Sequence, residues 1–98
     1  MDISEIRDGM SNVDVEGEII EISPAREVIT KFGSTNVATA KVKDETGTIS
    51  LSLWGKQISL FNVGDKIEIK GGYTRSFKNE VQLNVGKMGS IRKLDADS

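Results

Sequence analysis

The stretch VATAKVKDETGTISLSLW, residues 37–54, decides the fold. Two alternating runs flank a four-residue turn, residues 44–47, in which Gly47 is able to take a positive φ. A loop of this length pairs Val37 with Trp54 and Lys43 with Thr48, and one face then carries only apolar side chains: Ala38, Ala40, Val42, Ile49, Leu51 and Leu53. A three-residue loop would place apolar residues opposite lysines, so the pattern predicts this hairpin and its register.

Similar strand patterns lie on both sides of the hairpin. We predict an all-β fold of five short strands, over residues 13–22, 37–43, 48–54, 66–73 and 81–85. We interpret residues 25–34 as a polar, flexible connection and residues 74–80 as the connection between the last two strands. One helical turn is expected around residues 57–61, and a first-turn element over residues 3–7 is expected to cover the bottom of a barrel.

The first strand contains a change of alternation. Val13, Val15, Gly17 and Ile19 share one parity, whereas Ile22 has the other. This change indicates a bulge, or a strand that bends around a barrel, and Gly17 permits either.

Length and composition exclude several classes of function. Ninety-eight residues form one domain, predicted as residues 1–98 with a core at about 3–91 and a short tail at 92–98. The sequence has no cysteine and no histidine, which excludes disulfides, thiolate catalysis and histidine-based triads. No apolar run exceeds two residues, so no membrane span is predicted. We expect a small, soluble, cytoplasmic binding module without enzymatic activity, cofactor or metal.

Charge is distributed unevenly along the chain. The net charge is -2, but residues 1–22 sum to -6 and the remainder sums to +4. Two interpretations stay open at this stage. The surface either mixes both signs, or it carries a basic groove on an otherwise acidic particle. The acidic pairs Asp44-Glu45 and Glu16/Glu18 are the conceivable sites for a divalent ion, but such pairs are usually only solvated.

Trp54 is the anomaly of the hairpin. The predicted register places this indole on the outward face, beside Thr39, Lys41, Ser50 and Ser52. A large exposed aromatic next to short polar groups and a cation suits a stacking platform for nucleobases. The alternative is that the strand twists near Gly55 and the indole seals the end of the barrel.

Two further aromatic residues extend this interpretation. Tyr73 shares the parity of Ile69, so a straight strand would point it inward, but a bulge at Gly71-Gly72 would turn it outward. Phe77 lies between Arg75 and Lys78 and is a candidate for stacking; the alternative is a loop anchor. Phe32, next to Lys31, is a weaker candidate of the same kind.

The chain resembles the OB-fold of archaeal single-stranded DNA-binding proteins, which are relatives of replication protein A. The resemblance rests on Asp44-Glu45-Thr46-Gly47, the strand from Ile49 to Lys56, and Val63-Gly64-Asp65. It continues through Tyr73 to Lys78 and Val81 to Gly86, and it spans about residues 3–91. It implies a five-stranded Greek-key barrel with one short helical turn between the third and fourth strands.

The resemblance also implies a function and a set of site residues. Three aromatics stack on successive bases in that family, and they correspond here to Trp54, Tyr73 and Phe77. Tyr73 occupies a position that is usually tryptophan in the closest relatives. The regions that supply polar and phosphate contacts contain Arg26, Lys31, Thr39, Lys41, Lys43, Ser52, Lys56, Arg75 and Lys78.

The expected partner is single-stranded DNA, in a nucleoid-associated role in replication, recombination or repair, with protein partners of such a complex. RNA or tRNA binding and a protein-docking OB module are the alternatives. Relatives often carry a long flexible C-terminal tail. A chain that stops at Ser98 is therefore expected to be tail-less, truncated, or one unit of a longer protein.

Overall fold

The computed structural model describes residues 1–86 and 89–94, except for the side chain of Phe77. A 3-10 turn, Ile3–Glu5, precedes the strands β1 (Val13–Ile22), β2 (Arg26–Thr30), β3 (Gly33–Lys43) and β4 (Thr48–Trp54). The four-residue helix α1 (Gln57–Leu60) leads to β5 (Lys66–Phe77), β6 (Glu80–Asn84) and β7 (Ser90–Lys93). No helix in the described part of the chain is long and apolar enough to cross a membrane.

Five of the strands close into a barrel. The order β1-β3-β4-β6-β5 returns to its start because β5 also pairs with β1. The pairings are antiparallel except for β4 with β6, which run parallel. The predicted five-stranded Greek-key barrel, with one helical turn between its third and fourth strands, is therefore confirmed.

The central hairpin has the predicted register. Val37 faces Trp54, Lys41 faces Ser50 and Lys43 faces Thr48. All six residues of its predicted apolar face are buried in the core. The alternation in residues 37–54 was sufficient to determine this pairing because a shift by one residue would expose the entire apolar set.

Two predicted connections are wrong, and one further strand was not predicted. Residues 25–34 are not a flexible connection, because β2 and the start of β3 form a regular hairpin there. Residues 74–77 continue β5, so only Lys78 and Asn79 form the turn into β6, both with positive φ. β7 was not predicted; it contains Arg92 and Lys93 of the expected tail, and residues 95–98 of that tail lie outside the described residues.

The strand β1 bends where it changes partner. It pairs with β5 through Val13–Glu18 and with β3 through Glu18–Ile22, and its register shifts between Ile19 and Glu21. The predicted bulge is thus present. A Cβ atom added at Gly17 would lie 2.6 Å from Val42 Cγ1 and 2.9 Å from the carbonyl oxygen of Lys43. The absence of a side chain at Gly17 lets β3 approach this closely.

The turn between β3 and β4 is closed by Asp44. Its carboxylate accepts hydrogen bonds from the Thr46 hydroxyl and from the backbone N–H groups of Ile3, Thr46 and Gly47. Gly47 does not use a positive φ. Partial desolvation raises the pKa of Asp44, but these hydrogen bonds outweigh it and lower the pKa from 3.8 to about 2.

We predict that Gly17→Ala lowers the free energy of unfolding by about 1–3 kcal/mol, because the new methyl group overlaps Val42 and the backbone of β3. Urea denaturation measures the change. Gly47→Ala is the matched control, since a Cβ atom there would lie 3.7 Å from Ile3 Cγ2, at ordinary contact distance. A smaller loss for Gly17→Ala than for the control would contradict the role assigned to Gly17.

We predict that Asp44→Asn lowers the free energy of unfolding at neutral pH by about 1 kcal/mol, because the charge-assisted hydrogen bonds are weakened. A folded-state pKa of about 2 contributes stability that is present above the unfolded value of 3.8 and is lost as pH falls through 2. The variant should therefore lose less stability than the wild type between about pH 4 and pH 2. Denaturation curves of both proteins, measured across this pH range, provide the comparison. An identical loss of stability with acid in the two proteins would refute the role assigned to the Asp44 carboxylate.

Candidate nucleic-acid interface

The outward side of β3, β4, β6 and the part of β5 that pairs with β6, Tyr73–Phe77, is one continuous surface, which we call the open face. In its middle row, Lys41 lies opposite Ser50, Ser50 beside Gln82, and Gln82 opposite Arg75. The next row contains Thr39 opposite Ser52, and Asn84 opposite Tyr73. The sheet thus brings together polar and aromatic side chains that are up to 45 residues apart in sequence, as Thr39 and Asn84 are.

Trp54 stands at the end of β4 on the open face. Its backbone N–H donates to the Gln57 side chain over 3.0 Å, and the N–H of Gly55 donates to the Asn36 carbonyl oxygen over 2.9 Å. Gly55 has a φ of 56°, which turns the chain into α1. The Trp54 residue is 40% exposed. The indole is therefore outside the core, and the alternative in which it seals the barrel is wrong.

Tyr73 is turned outward by a bulge at Gly71. Gly71 has a φ of 68°, and its N–H donates to the Asp14 carboxylate over 2.9 Å. The pairing of β1 with β5 shifts by one residue at this point. Ile69 therefore faces the core, whereas Tyr73 is 38% exposed and Thr74 is buried. Of the two orientations that the sequence left open for Tyr73, the outward one, with a bulge at Gly71, is the one observed.

Gly86 lies beside the ring of Tyr73. A Cβ atom added at Gly86 would lie 3.5 Å from Tyr73 Cε1, so a side chain at this position would cover the ring edge. Phe77 is four residues further along β5, where its backbone pairs with Glu80. The Phe77 side chain, the third predicted stacking group, lies outside the described residues.

The predicted cations divide into two groups. On the strands of the open face lie Lys41, Lys43 and Arg75, and Arg26 of β2 lies opposite Val37, the cross-strand neighbour of Trp54. The others lie in connections. Lys56 directly precedes α1, Lys78 belongs to the β5–β6 turn, and the Lys31 ammonium lies 5.2 Å from the centre of the Phe32 ring at the tip of the β2–β3 hairpin.

Several polar residues of the open face are less exposed than expected from their outward positions in the strands. Ser52, a predicted polar contact, is 6% exposed and presents little surface to a ligand, whereas Thr39 is half-buried. Ser50 and Asn84 are also buried. Because β6 lies beside β4 in parallel, its side chains Gln82 and Asn84 flank these serines. Gln82, Asn84 and Glu80 were not predicted as site residues, since no local pattern indicates which strand lies next to β4.

The two sides of the barrel differ in charge. Among the described strand residues of the open face and of the same side of β2, one is anionic, Glu80. Four are cationic: Arg26, Lys41, Lys43 and Arg75. The outward positions of β1 instead carry Asp14, Glu16 and Glu18, all exposed. The acidic residues of β1 alternate with cations of the neighbouring strands, since Glu18 lies opposite both Lys43 and Lys66. The open face therefore has a local excess of cations.

A closed Greek-key barrel with exposed aromatic and basic side chains on one face defines the oligonucleotide-binding class of small barrels, the OB-folds. The comparison with known families agrees with this class. Residues 11–93 match the family described as single-stranded DNA binding protein Ssb-like, OB fold. The chain belongs to this family, and the resemblance seen in the sequence is confirmed.

Relatives of known name extend over nearly the whole chain. The single-stranded DNA binding protein Ssb of Saccharolobus solfataricus is 35% identical over 95 residues, which are 97% of this chain and 64% of the relative. Replication factor A of Methanothermobacter thermautotrophicus is 33% identical over 91 residues, 92% of this chain and 12% of the relative. This chain thus spans less than two thirds of the length of these curated relatives.

A solved structure shares the fold. The solution structure of a replication factor A related protein from Methanobacterium thermoautotrophicum superimposes with a TM-score of 0.79 at 27% identity. The match covers 97% of this chain and 90% of that one.

Proposed function

We propose that this protein binds single-stranded DNA without catalysis, by stacking bases on Trp54, Tyr73 and Phe77 and by contacting phosphates with lysine and arginine side chains. The observation that carries the proposal is the exposure of Trp54 and Tyr73 on the same face as Lys41 and Arg75. The role of Phe77 rests on the family resemblance and on its backbone position in β5.

The spacing of the aromatic residues supports a path across the strands. Trp54 lies on β4, and Tyr73 lies two strands away on β5. Along the strand direction, the rows of the two residues are two residues apart. With strands about 4.8 Å apart and about 3.3 Å between successive residues, this separation is about 12 Å. Phe77 lies four residues, or about 13 Å, beyond Tyr73 along β5. A single strand would therefore run diagonally from the β2–β3 hairpin towards the β5–β6 turn.

The energetics favour unpaired bases over a duplex. Stacking of one base on an aromatic side chain contributes about 1–3 kcal/mol, and three non-additive stacks contribute roughly 3–6 kcal/mol. Together with about three phosphate contacts this gives an affinity of about micromolar or better at moderate salt. The bases of a duplex are stacked on each other and are not free to stack on the protein. Stacking does not depend on the hydrogen-bonding groups of a base, so it discriminates little between bases. Selectivity for single strands with weak sequence preference follows.

The proposed setting is DNA replication, recombination or repair in the cytoplasm, at the nucleoid, together with protein partners of such complexes. The names of the relatives support replication first, because one of them is a replication factor A and another a single-stranded DNA binding protein.

We predict that Trp54→Ala weakens binding to an oligo-dT strand by about 5- to 150-fold, which corresponds to the loss of one stack of 1–3 kcal/mol. Fluorescence anisotropy of a labelled oligonucleotide measures the affinity, and thermal melting shows that the variant is folded. Val63→Ala is the matched control, since Val63 is an exposed apolar residue outside the open face.

The same titration separates the competing functions. Equal affinity of the wild type and Trp54→Ala would refute the stacking proposal. Tighter binding of a matched RNA strand than of DNA would establish RNA as the ligand. If the protein binds neither strand, the alternative of a protein-docking module is favoured.

We predict that the logarithm of the binding constant falls with the logarithm of salt concentration with a slope near -2, because each neutralised phosphate of a single strand contributes about -0.7. Titrations at four salt concentrations determine the slope. Arg75→Ala should reduce its magnitude by about 0.7, whereas Trp54→Ala should leave it unchanged. A slope near zero would show that the cations of the open face do not contact phosphates.

A further inference from the structure

One carboxylate lies among the cations of the open face. Glu80 is the first residue of β6, and its Oε1 atom is 2.8 Å from the Lys41 ammonium on β3. The Ser50 hydroxyl on β4 donates a short hydrogen bond to the same oxygen. Glu80 thus connects to side chains from two other strands, at the centre of the face proposed to bind DNA.

Lys41, the ion-pair partner of Glu80, is a group that a phosphate would use. The Lys41 ammonium also lies 2.8 Å from the Ser50 hydroxyl oxygen, so the three side chains form a closed triangle. Ammonium and hydroxyl groups are the usual donors to phosphate oxygens of nucleic acids. The hydrogen bonds from Lys41 and Ser50 hold the pKa of Glu80 below its usual range, so the carboxylate is charged at neutral pH.

We propose that Glu80 is an internal competitor of DNA phosphate for Lys41, so that binding of a single strand breaks the Lys41–Glu80 ion pair. This inference rests on the proposed function and identifies a residue that lowers the affinity of the same site. A carboxylate and a phosphate oxygen cannot both occupy the position beside the ammonium without mutual repulsion.

The exposure of the pair makes the competition modest. The Lys41 side chain is 36% exposed and the Glu80 side chain 48%, and ion pairs in such positions are weak because water screens them. Phosphate can therefore displace Glu80, and the carboxylate reduces affinity without preventing binding. In the absence of DNA, the contacts with Ser50 and Glu80 hold the Lys41 ammonium on the open face.

The test compares Glu80→Gln with Glu68→Gln. Both variants remove one negative charge, but Glu68 is paired with Arg92 at 2.7 Å on the part of β5 that faces β1 and β7. We expect Glu80→Gln to bind oligo-dT about three- to tenfold more tightly than the wild type at moderate salt. Its salt slope should stay close to that of the wild type, because Lys41 contacts a phosphate in both proteins once the wild-type ion pair is broken. Glu68→Gln should remain within twofold of the wild type.

A second comparison identifies Lys41 as the group that is released. In a Lys41→Ala background there is no ammonium for Glu80 to hold, so adding Glu80→Gln should raise the affinity much less than it does in the wild-type background. Glu80→Ala repeats the test without an amide that hydrogen-bonds to Ser50, and thermal melting shows that each variant is folded.

Three outcomes would overturn the inference: unchanged or weaker binding by Glu80→Gln, an equal gain in affinity for Glu68→Gln, or an equal gain from Glu80→Gln when Lys41 is replaced by alanine. Weaker binding in particular would mean that Glu80 positions Lys41 for DNA. Failure of the wild type to bind single strands at all would instead refute the proposed function. Wild-type binding that depends on Trp54 but not on Glu80 would refute only this inference.

Discussion

Closure of the barrel depends on β1, which pairs with β5 along its first half and with β3 along its second half. Glu18 is paired with both strands. The preceding residue, Gly17, has no side chain, which lets the backbone of β3 approach. Because side chains alternate between the two faces of a strand, closure determines which residues enter the core and which face outward. The orientation of Trp54 and Lys41 is therefore a consequence of the same pairing that stabilises the core.

The sequence predicted the parts of the fold in which one face is buried. Residues 37–54 alternate strictly, so their register could be derived from the pattern alone. Gly71-Gly72 likewise indicated the bulge that turns Tyr73 outward. In contrast, β2 has no buried residue, because it extends beyond the barrel and pairs on one side with β3; its sequence therefore has no apolar period to detect.

The candidate site was predictable to a similar degree. The aromatic residues and cations were found because each follows from local alternation or from the family resemblance. The triangle of Lys41, Ser50 and Glu80 was not found, since it requires β6 to lie beside β4, a parallel contact between segments 32 residues apart. The burial of Ser52 has the same origin. The long-range order of the strands thus determines the electrostatic environment of the site, whereas local pattern determines its aromatic content.

The strand β2 has a consequence for the behaviour of the molecule in concentrated solution. Among the described strands it pairs only with β3, so its outer backbone amides and carbonyls remain available to another chain. Ile29 and Phe32, both almost fully exposed, lie at the end of this edge. The edge is only five residues long and begins with Arg26 and Glu27. Short length and charged residues of this kind oppose intermolecular sheet growth, and they protect the hairpin against aggregation.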